Sequence, residues 1–269
     1  MNDAAIVGSQ PAIDLNCDLG EDASEEGARR EAAVLEFVSS INVACGLHAG
    51  DAHVMRRIMQ AAARRGIAIG AHPSLADREH FGRRELPVTP EEAYELVTYQ
   101  IGAAQAIARA AGAGLNHVKP HGALYNMAAR DPALANAIAR AVRDLDSGLV
   151  LYGLSGSVLI SAAEANGLKS AAEVFADRTY RADGSLTPRS RADALISDEE
   201  VAVAQVLRMI SEGTVRSVDS AVVQVRADTV CIHGDAPQAP AFAARLRRSL
   251  EAQGIRVRPI LRASMADGN

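Results

Sequence analysis

Tryptophan is absent, and aromatic residues make up only 3% of the 269 residues, four Phe and five Tyr. So few rings leave little for stacking on bases or sugars, which argues against a nucleic acid or a long sugar chain as ligand. No basic excess exists either: 28 Lys+Arg stand against 33 Asp+Glu, a formal net charge of -5. A general nucleic-acid binder would carry the opposite balance. The three cysteines, Cys17, Cys45 and Cys231, lie far apart and form no CxxC pair, which removes both a zinc knuckle and a disulfide framework. No apolar run is long enough to span a membrane, and Met1 to Pro11 lacks the basic and apolar regions of a secretory leader. A reducing cytoplasm, with no membrane partner, is the expected setting.

What is present is a chain with 48% hydrophobic residues, enough to bury a sizeable core. Short β-rich runs alternate with longer helical patterns, the signature of βα units around a parallel sheet. Strands are expected at Ile13–Asp18, Ile41–Cys45, Ile67–Ala71, Leu115–Lys119, Leu149–Gly153, Ala171–Phe175 and Thr229–His233. Helices are expected over Glu25–Val38, from an Asp51 cap to Gly66, from Thr89-Pro90 to about Ala111, up to Leu145 with a restart at Asp131-Pro132, and over Ala239–Gln253. Ser197-Asp198-Glu199-Glu200 reads as a second capping box, and Val215–Val225 as a small inserted hairpin. Seven βα units without a Rossmann fingerprint favour one α/β barrel spanning the chain over an open sheet. Gly153-Leu154-Ser155-Gly156 comes nearest to a phosphate loop but lacks the GK[ST] ending.

In such a barrel, function gathers where the strand C-terminal ends meet. Those ends carry Asn16, Asp18 and Glu21; His48 and Asp51; His72; His117, Lys119 and His121; Glu173, Asp177 and Arg178; and His233 and Asp235. Strand parity puts Asp14, Asn16 and Asp18 on one face, with Asn42, Ala44, Gly46 and His48, and with Ala68, Gly70 and His72, on the corresponding faces of their strands. The inner face is thus expected to be small or polar, leaving volume for a compact polar ligand. Asp18, His48 and His72 suit either an open divalent-metal site that activates water or general acid/base work on a bound amide. Lys119, placed near the mouth, could bind a carboxylate or act as a base if burial lowered its pKa. Taken singly, a strand-end His is more often a hydrogen-bonded structural residue, the more so for His53 and His117. Arg83 and Arg84 read as loop-ordering residues, and Cys45 and Cys231 as buried structural thiols.

The segments IDLNCDLGE (13–21), INVACGLHAGD (41–51), AIGAHPS (68–74), FGRR (81–84), HVKPHGALYN (117–126), EVFADRTYRADGSLTPRS (173–190) and CIHGD (231–235) resemble the LamB/YcsF family, the A-type subunits of 5-oxoprolinase. The resemblance runs from about Ile13 to Gly254. It implies a distorted seven-stranded parallel β/α barrel related to polysaccharide deacetylases. It also implies ATP-dependent opening of 5-oxoproline to glutamate, with ATP and Mg2+ as cosubstrate and with partner subunits B and C. Leu47 and Leu75-Ala76 stand where the family usually has an aromatic residue and an aromatic-Pro pair, and Asp22–Arg30 is unusually polar.

A lactam is a poor electrophile, so coupling to ATP would serve to phosphorylate its oxygen and make the carbon attackable. Asp18, His48, His72 and His121 are then expected to position the lactam and activate water, with Lys119 or Arg178 on carboxylate or phosphate charge. Asn16, Glu21, Asp51, Glu173, Asp177, His233 and Asp235 complete the expected substrate-binding set. Phosphorylation by the partners would account for the missing nucleotide motif. The alternatives are a stand-alone metal-dependent deacetylase or amidohydrolase, and a non-catalytic substrate-binding subunit.

Overall fold

Residues 10–234 and 237–263 are described in the computed structural model, and Asp235 lies outside them. The elements in chain order are β1 (Ala12–Leu19), α1 (Glu25–Val34), β2 (Ser40–Ala44), α2 (Ala52–Ala63), β3 (Ala68–His72), α3 (Pro90–Ala110), β4 (His117–Val118), α4 (Gly122–Ala128) and α5 (Pro132–Leu145). They continue with β5 (Val150–Leu154), α6 (Val158–Ala165), β6 (Lys169–Phe175), α7 (Glu199–Ser211), β7 (Thr214–Arg216), β8 (Val222–Gln224), β9 (Thr229–His233), α8 (Ala239–Ala252) and β10 (Arg256–Val257). Strands β1 to β6 pair in sequence order, all parallel, and β9 pairs with both β6 and β1. The seven strands therefore close into an α/β barrel, as the alternation predicts. The hairpin β7–β8 is antiparallel and stands apart, and β10 extends the rim by pairing with the start of β1.

Local chemistry explains the helix starts. Thr89 and Glu92 form a reciprocal capping box with Pro90 at the first helical position. Asp51 caps α2 by accepting from the Val54 N–H, and Val54, Met55, Ile58, Met59 and Ala62 line its buried face. Two expectations need correction. Asp198, not Ser197, caps α7, accepting from the Glu200 and Val201 N–H groups, because a short carboxylate one residue nearer satisfies the same first-turn donors. Helix α1 stops at Val34 rather than Val38, since the next turn tightens into Glu36→Ala33 and Phe37→Val34 bonds.

The barrel interior also differs from expectation: it is polar, as parity implies, but filled. At its lower end the Asp14 carboxylate accepts from the Ser39, Ser40, Tyr152 and Thr229 hydroxyls. Burial raises the pKa of Asp14 in spite of these four donors. One layer up, the Asn16 amide donates to Thr229 (2.7 Å) and Glu173 (3.0 Å), while Asn42 donates to Asn16 (2.7 Å) and Asp18 (2.8 Å). His117, stacked on Tyr152, donates from Nε2 to Asn42 (2.8 Å), and burial holds its pKa down at about 3. Gly70 is obligatory beside it, because a Cβ there would run into the His117 ring. This column orients every amide by its neighbours and fills the barrel interior beneath the mouth.

Candidate functional site

The C-terminal ends of β1 to β4 converge on one buried group. Glu21, His48, His72 and His121 each offer a ligand atom, all within 4.8 Å of one another. The His48 and His121 rings stack in parallel, 3.7 Å between centroids, and His72 stands edge-on to both. Backbone devices hold the set in place. Arg78 ties down the Gly46–Gly50 loop that carries His48, donating to the Gly46 and Gly50 carbonyls at 2.9 Å. Phe81 takes a left-handed conformation (φ 56°) that presses its carbonyl onto His121, a strained geometry for a bulky residue. Gly82 follows with φ +63°, and a Cβ there would meet the His48 Cβ at 2.9 Å.

Hydrogen bonding fixes the tautomers. His72 Nδ1 donates to the Lys119 carbonyl (2.7 Å) and His121 Nε2 donates to the Phe81 carbonyl (2.8 Å). The two remaining nitrogens, His72 Nε2 and His121 Nδ1, face each other at 2.9 Å. Two lone pairs cannot sit so close unless a proton or a cation lies between them. Burial, followed by the fields of His72 and His48, pulls the His121 pKa well down. A shared proton or a cation therefore belongs between the two nitrogens, and His72 Nε2 also lies 3.4 Å from Asp18 Oδ2. His48 donates from Nε2 to Glu21 (3.2 Å), its pKa lowered to about 2 chiefly by burial, and its Nδ1 is a buried acceptor without a partner.

These four residues fit a divalent cation. In metal sites a ligating imidazole usually donates its other N–H to a carbonyl or carboxylate, and His72 and His121 already do so. Glu21 supplies the negative charge and His48 a further nitrogen. Asp18, expected in this set, is instead bound to Lys119: the ammonium lies 2.9 Å from Asp18 and 2.8 Å from Glu173. Burial opposes the ammonium most strongly, but Asp18, Cys231 and Glu173 together outweigh it and hold the Lys119 pKa well above its usual value. Lys119 is therefore a buried cation rather than a base.

A cavity of about 240 Å³ opens above Glu21, lined by Asp18, Asp22, Arg30, Phe81 and Arg83 among others. A larger hollow, about 790 Å³, lies at the opposite end beside the start of β1 and β6, away from the strand ends where barrel chemistry collects. The expected residues divide accordingly. Asp18, Glu21, His48, His72, Lys119, His121, Asn16 and Glu173 come together at or beneath the mouth. His233 sits beside Asp18 in register, donating from Nδ1 to Asp177 (2.7 Å) and accepting from Arg189 at Nε2. Asp51 is at the surface as a helix cap. Arg178 is buried and laces the following loop, donating to the Thr187 and Ala194 carbonyls. Cys45, pushed up to about 12 by burial, and Cys231, raised well above its ordinary value by the same cause, match the expected buried structural thiols.

Sequence reasoning missed Arg30, Arg189 and the part played by Phe81 and Arg83. The available signal was Phe81-Gly82 (a bulky residue leading into a glycine turn, just before two arginines). Arg84 matches its expected loop role, lying 3.2 Å from Asp77.

Comparisons with known proteins agree with the barrel fold. The profile of the LamB/YcsF family matches residues 13–265. A Bordetella pertussis protein, named as the A-type subunit of 5-oxoprolinase, is 58% identical over 247 residues, covering 92% of this chain and 98% of that one. Its Bacillus subtilis namesake is 54% identical over 248 residues, covering 92% and 96%. The solved structure of a lactam utilization protein from Thermus thermophilus superposes with a TM-score of 0.83 at 44% identity, covering 93% of this chain and 100% of that one.

Proposed function

This chain belongs to the LamB/YcsF family, and from that premise we propose that it is the component of an ATP-dependent 5-oxoprolinase in which water opens the lactam of 5-oxo-L-proline to give L-glutamate. The observation that carries the reading is the pre-set imidazole pair, His72 Nε2 facing His121 Nδ1 at 2.9 Å, next to Glu21, which lines a small cavity at the strand ends. The relatives' names, a 5-oxoprolinase component and a lactam utilization protein, supply the substrate class.

Phosphoryl transfer from ATP to the lactam oxygen would fall to partner subunits B and C, since the described residues include no phosphate loop. A first water then adds to the activated carbon, and the ring C–N bond breaks as the nitrogen takes a proton. A second water releases phosphate from the acyl phosphate. Glu21, whose carboxylate lies 3.5 Å from His121 Nδ1, takes up the proton of the attacking water. The proton shared between His72 Nε2 and His121 Nδ1, beside Asp18, goes to the departing nitrogen. His48 orients Glu21. Lys119 holds Asp18 and Glu173 in register without touching the substrate. A divalent cation held by Glu21, His48, His72 and His121 would replace the proton between His72 and His121 and supply Lewis acidity in its place. Dependence on ATP fits a cytoplasmic setting.

The test incubates the chain, with and without subunits B and C, with ATP and 5-oxoproline, and measures glutamate and ADP together. Full activity requires the partners, and His72→Ala or His48→Ala lowers turnover about 10²–10⁴-fold. Full activity of either variant would sink the assignment. Amide hydrolysis by the chain alone, with metal and without ATP, would favour the amidohydrolase reading that the His/Glu cluster also admits.

A further inference from the structure

Five cations surround the mouth. Lys119 lies between Asp18 and Glu173. Arg178 is buried on loop carbonyls, and Arg189 donates to His233. Arg30 donates to Asp22 (2.8 Å) and to the Gly234 carbonyl (3.0 Å). Arg83 lines the cavity as Arg30 does, is exposed, and lays its guanidinium over the Phe81 ring, 4.7 Å from the centroid.

Stacking by its flat face suits a guanidinium to hydrogen bonding by its edge, the geometry that reads a carboxylate with two parallel N–H bonds. Phe81 also fixes where that edge stands relative to the chemistry. Its ring packs edge-on to His48 (5.5 Å) and His121 (5.4 Å), and its carbonyl accepts from His121. Besides Arg83 and Arg30, the charged groups lining the cavity are the acids Asp18, Glu21, Asp22 and Glu31. An anionic ligand would be repelled there without a cation at the cavity wall. Asp18, Asp22 and Glu31 are each paired with a cation of the protein, Lys119, Arg30 and Arg57 respectively.

We propose that Arg83, braced by Phe81, is the specificity-determining residue that binds the carboxylate of a small cyclic α-carboxy amide and so points its lactam carbon at the Glu21/His121 floor. This rests on the 5-oxoprolinase reading and names the residue that separates 5-oxoproline from an uncharged lactam of the same size. Lysine would not replace it, because a point charge lacks the paired donors and the flat face.

The test uses the complete complex with ATP and follows ADP release. Two quantities are compared: KM for 5-oxoproline, and the inhibition constant of its primary carboxamide, which keeps the ring but not the charge. Arg83→Met raises KM by about tenfold to a hundredfold, the loss expected for charge-assisted hydrogen bonds. The carboxamide's inhibition constant stays within about threefold, and Arg83→Lys recovers only part of the KM loss. An unchanged KM in Arg83→Met, or an equal rise in both quantities, overturns the proposal. So does a selective KM loss in Arg30→Met and not in Arg83→Met. A wild-type complex that releases no ADP with 5-oxoproline refutes the underlying reading instead.

Discussion

Replacing Lys119 by methionine keeps the stem and removes an ammonium that lies 2.9 Å from Asp18 and 2.8 Å from Glu173, with Glu173 fully buried. Removing one partner from a buried ion cluster costs about 3–5 kcal/mol, because the remaining charge has no solvent to turn to. In a chain of this size each kcal/mol shifts the melting point by about 2–4 °C, so Lys119→Met should melt about 6–20 °C lower.

The pH dependence gives a second, sharper signature. In the wild type, burial pushes the Asp18 carboxyl up, but His72 and Lys119 together pull it well below the usual carboxylate range. A carboxylate lowered in the fold stabilises above its unfolded pKa, and that contribution is lost as pH falls through the folded value. Lys119 is raised, so its contribution holds below the ordinary lysine pKa and is lost only as pH rises through a still more alkaline value. From pH 7 to 5 this pair therefore leaves wild-type stability flat. In Lys119→Met, acid neutralises the stranded carboxylates, so melting temperature rises over the same window. The added change Glu173→Gln recovers part of the loss at pH 7. Thermal unfolding by circular dichroism across pH 5–8 reads all three proteins. A variant within about 3 °C of wild type at pH 7, or one whose stability falls on acidification, would refute the reasoning.

Two further outcomes follow from the same geometry. Dialysis of the full chain against Zn2+ or Co2+ at about 100 times the dissociation constant should stabilise it by about 2.7 kcal/mol. The shift in melting point disappears in His121→Ala and returns to the apo value with chelator; no shift in the wild type would remove the cation from the reading. Gly70→Ala drives a methyl group into the His117 ring, which donates to Asn42. It should cost about 1–3 kcal/mol through overpacking and a displaced buried hydrogen bond, measured by urea unfolding.

Much of this was legible without coordinates because the signals are local. Alternating runs and capping residues sufficed for seven parallel strands, and period-two parity put Asp14, Asn16 and Asp18 inside the barrel. Strand-end position nominated His48, His72 and His121 for the same reason, since closure of a parallel barrel brings those ends together whatever the loops do. The missing β10 is a two-residue pairing at the rim, too short to leave a periodic trace.

Partnership between residues distant in the chain was a different matter. Asp18 and Lys119 are 101 residues apart, and Lys119 and Cys231 are separated by 112. Only closure makes them neighbours, and it turned a candidate base into a buried ammonium and a candidate metal ligand into its counter-ion. Glu21 and His121 join His48 and His72 in the cluster that could hold a cation, and the Phe81 and Lys119 carbonyls dictate which nitrogens of His121 and His72 keep a lone pair. A sequence specifies which groups a strand offers to the mouth. Which of them meet, and in which protonation state, depends on distances of a few ångströms in a medium where an unpaired charge is costly, and only the folded barrel sets those.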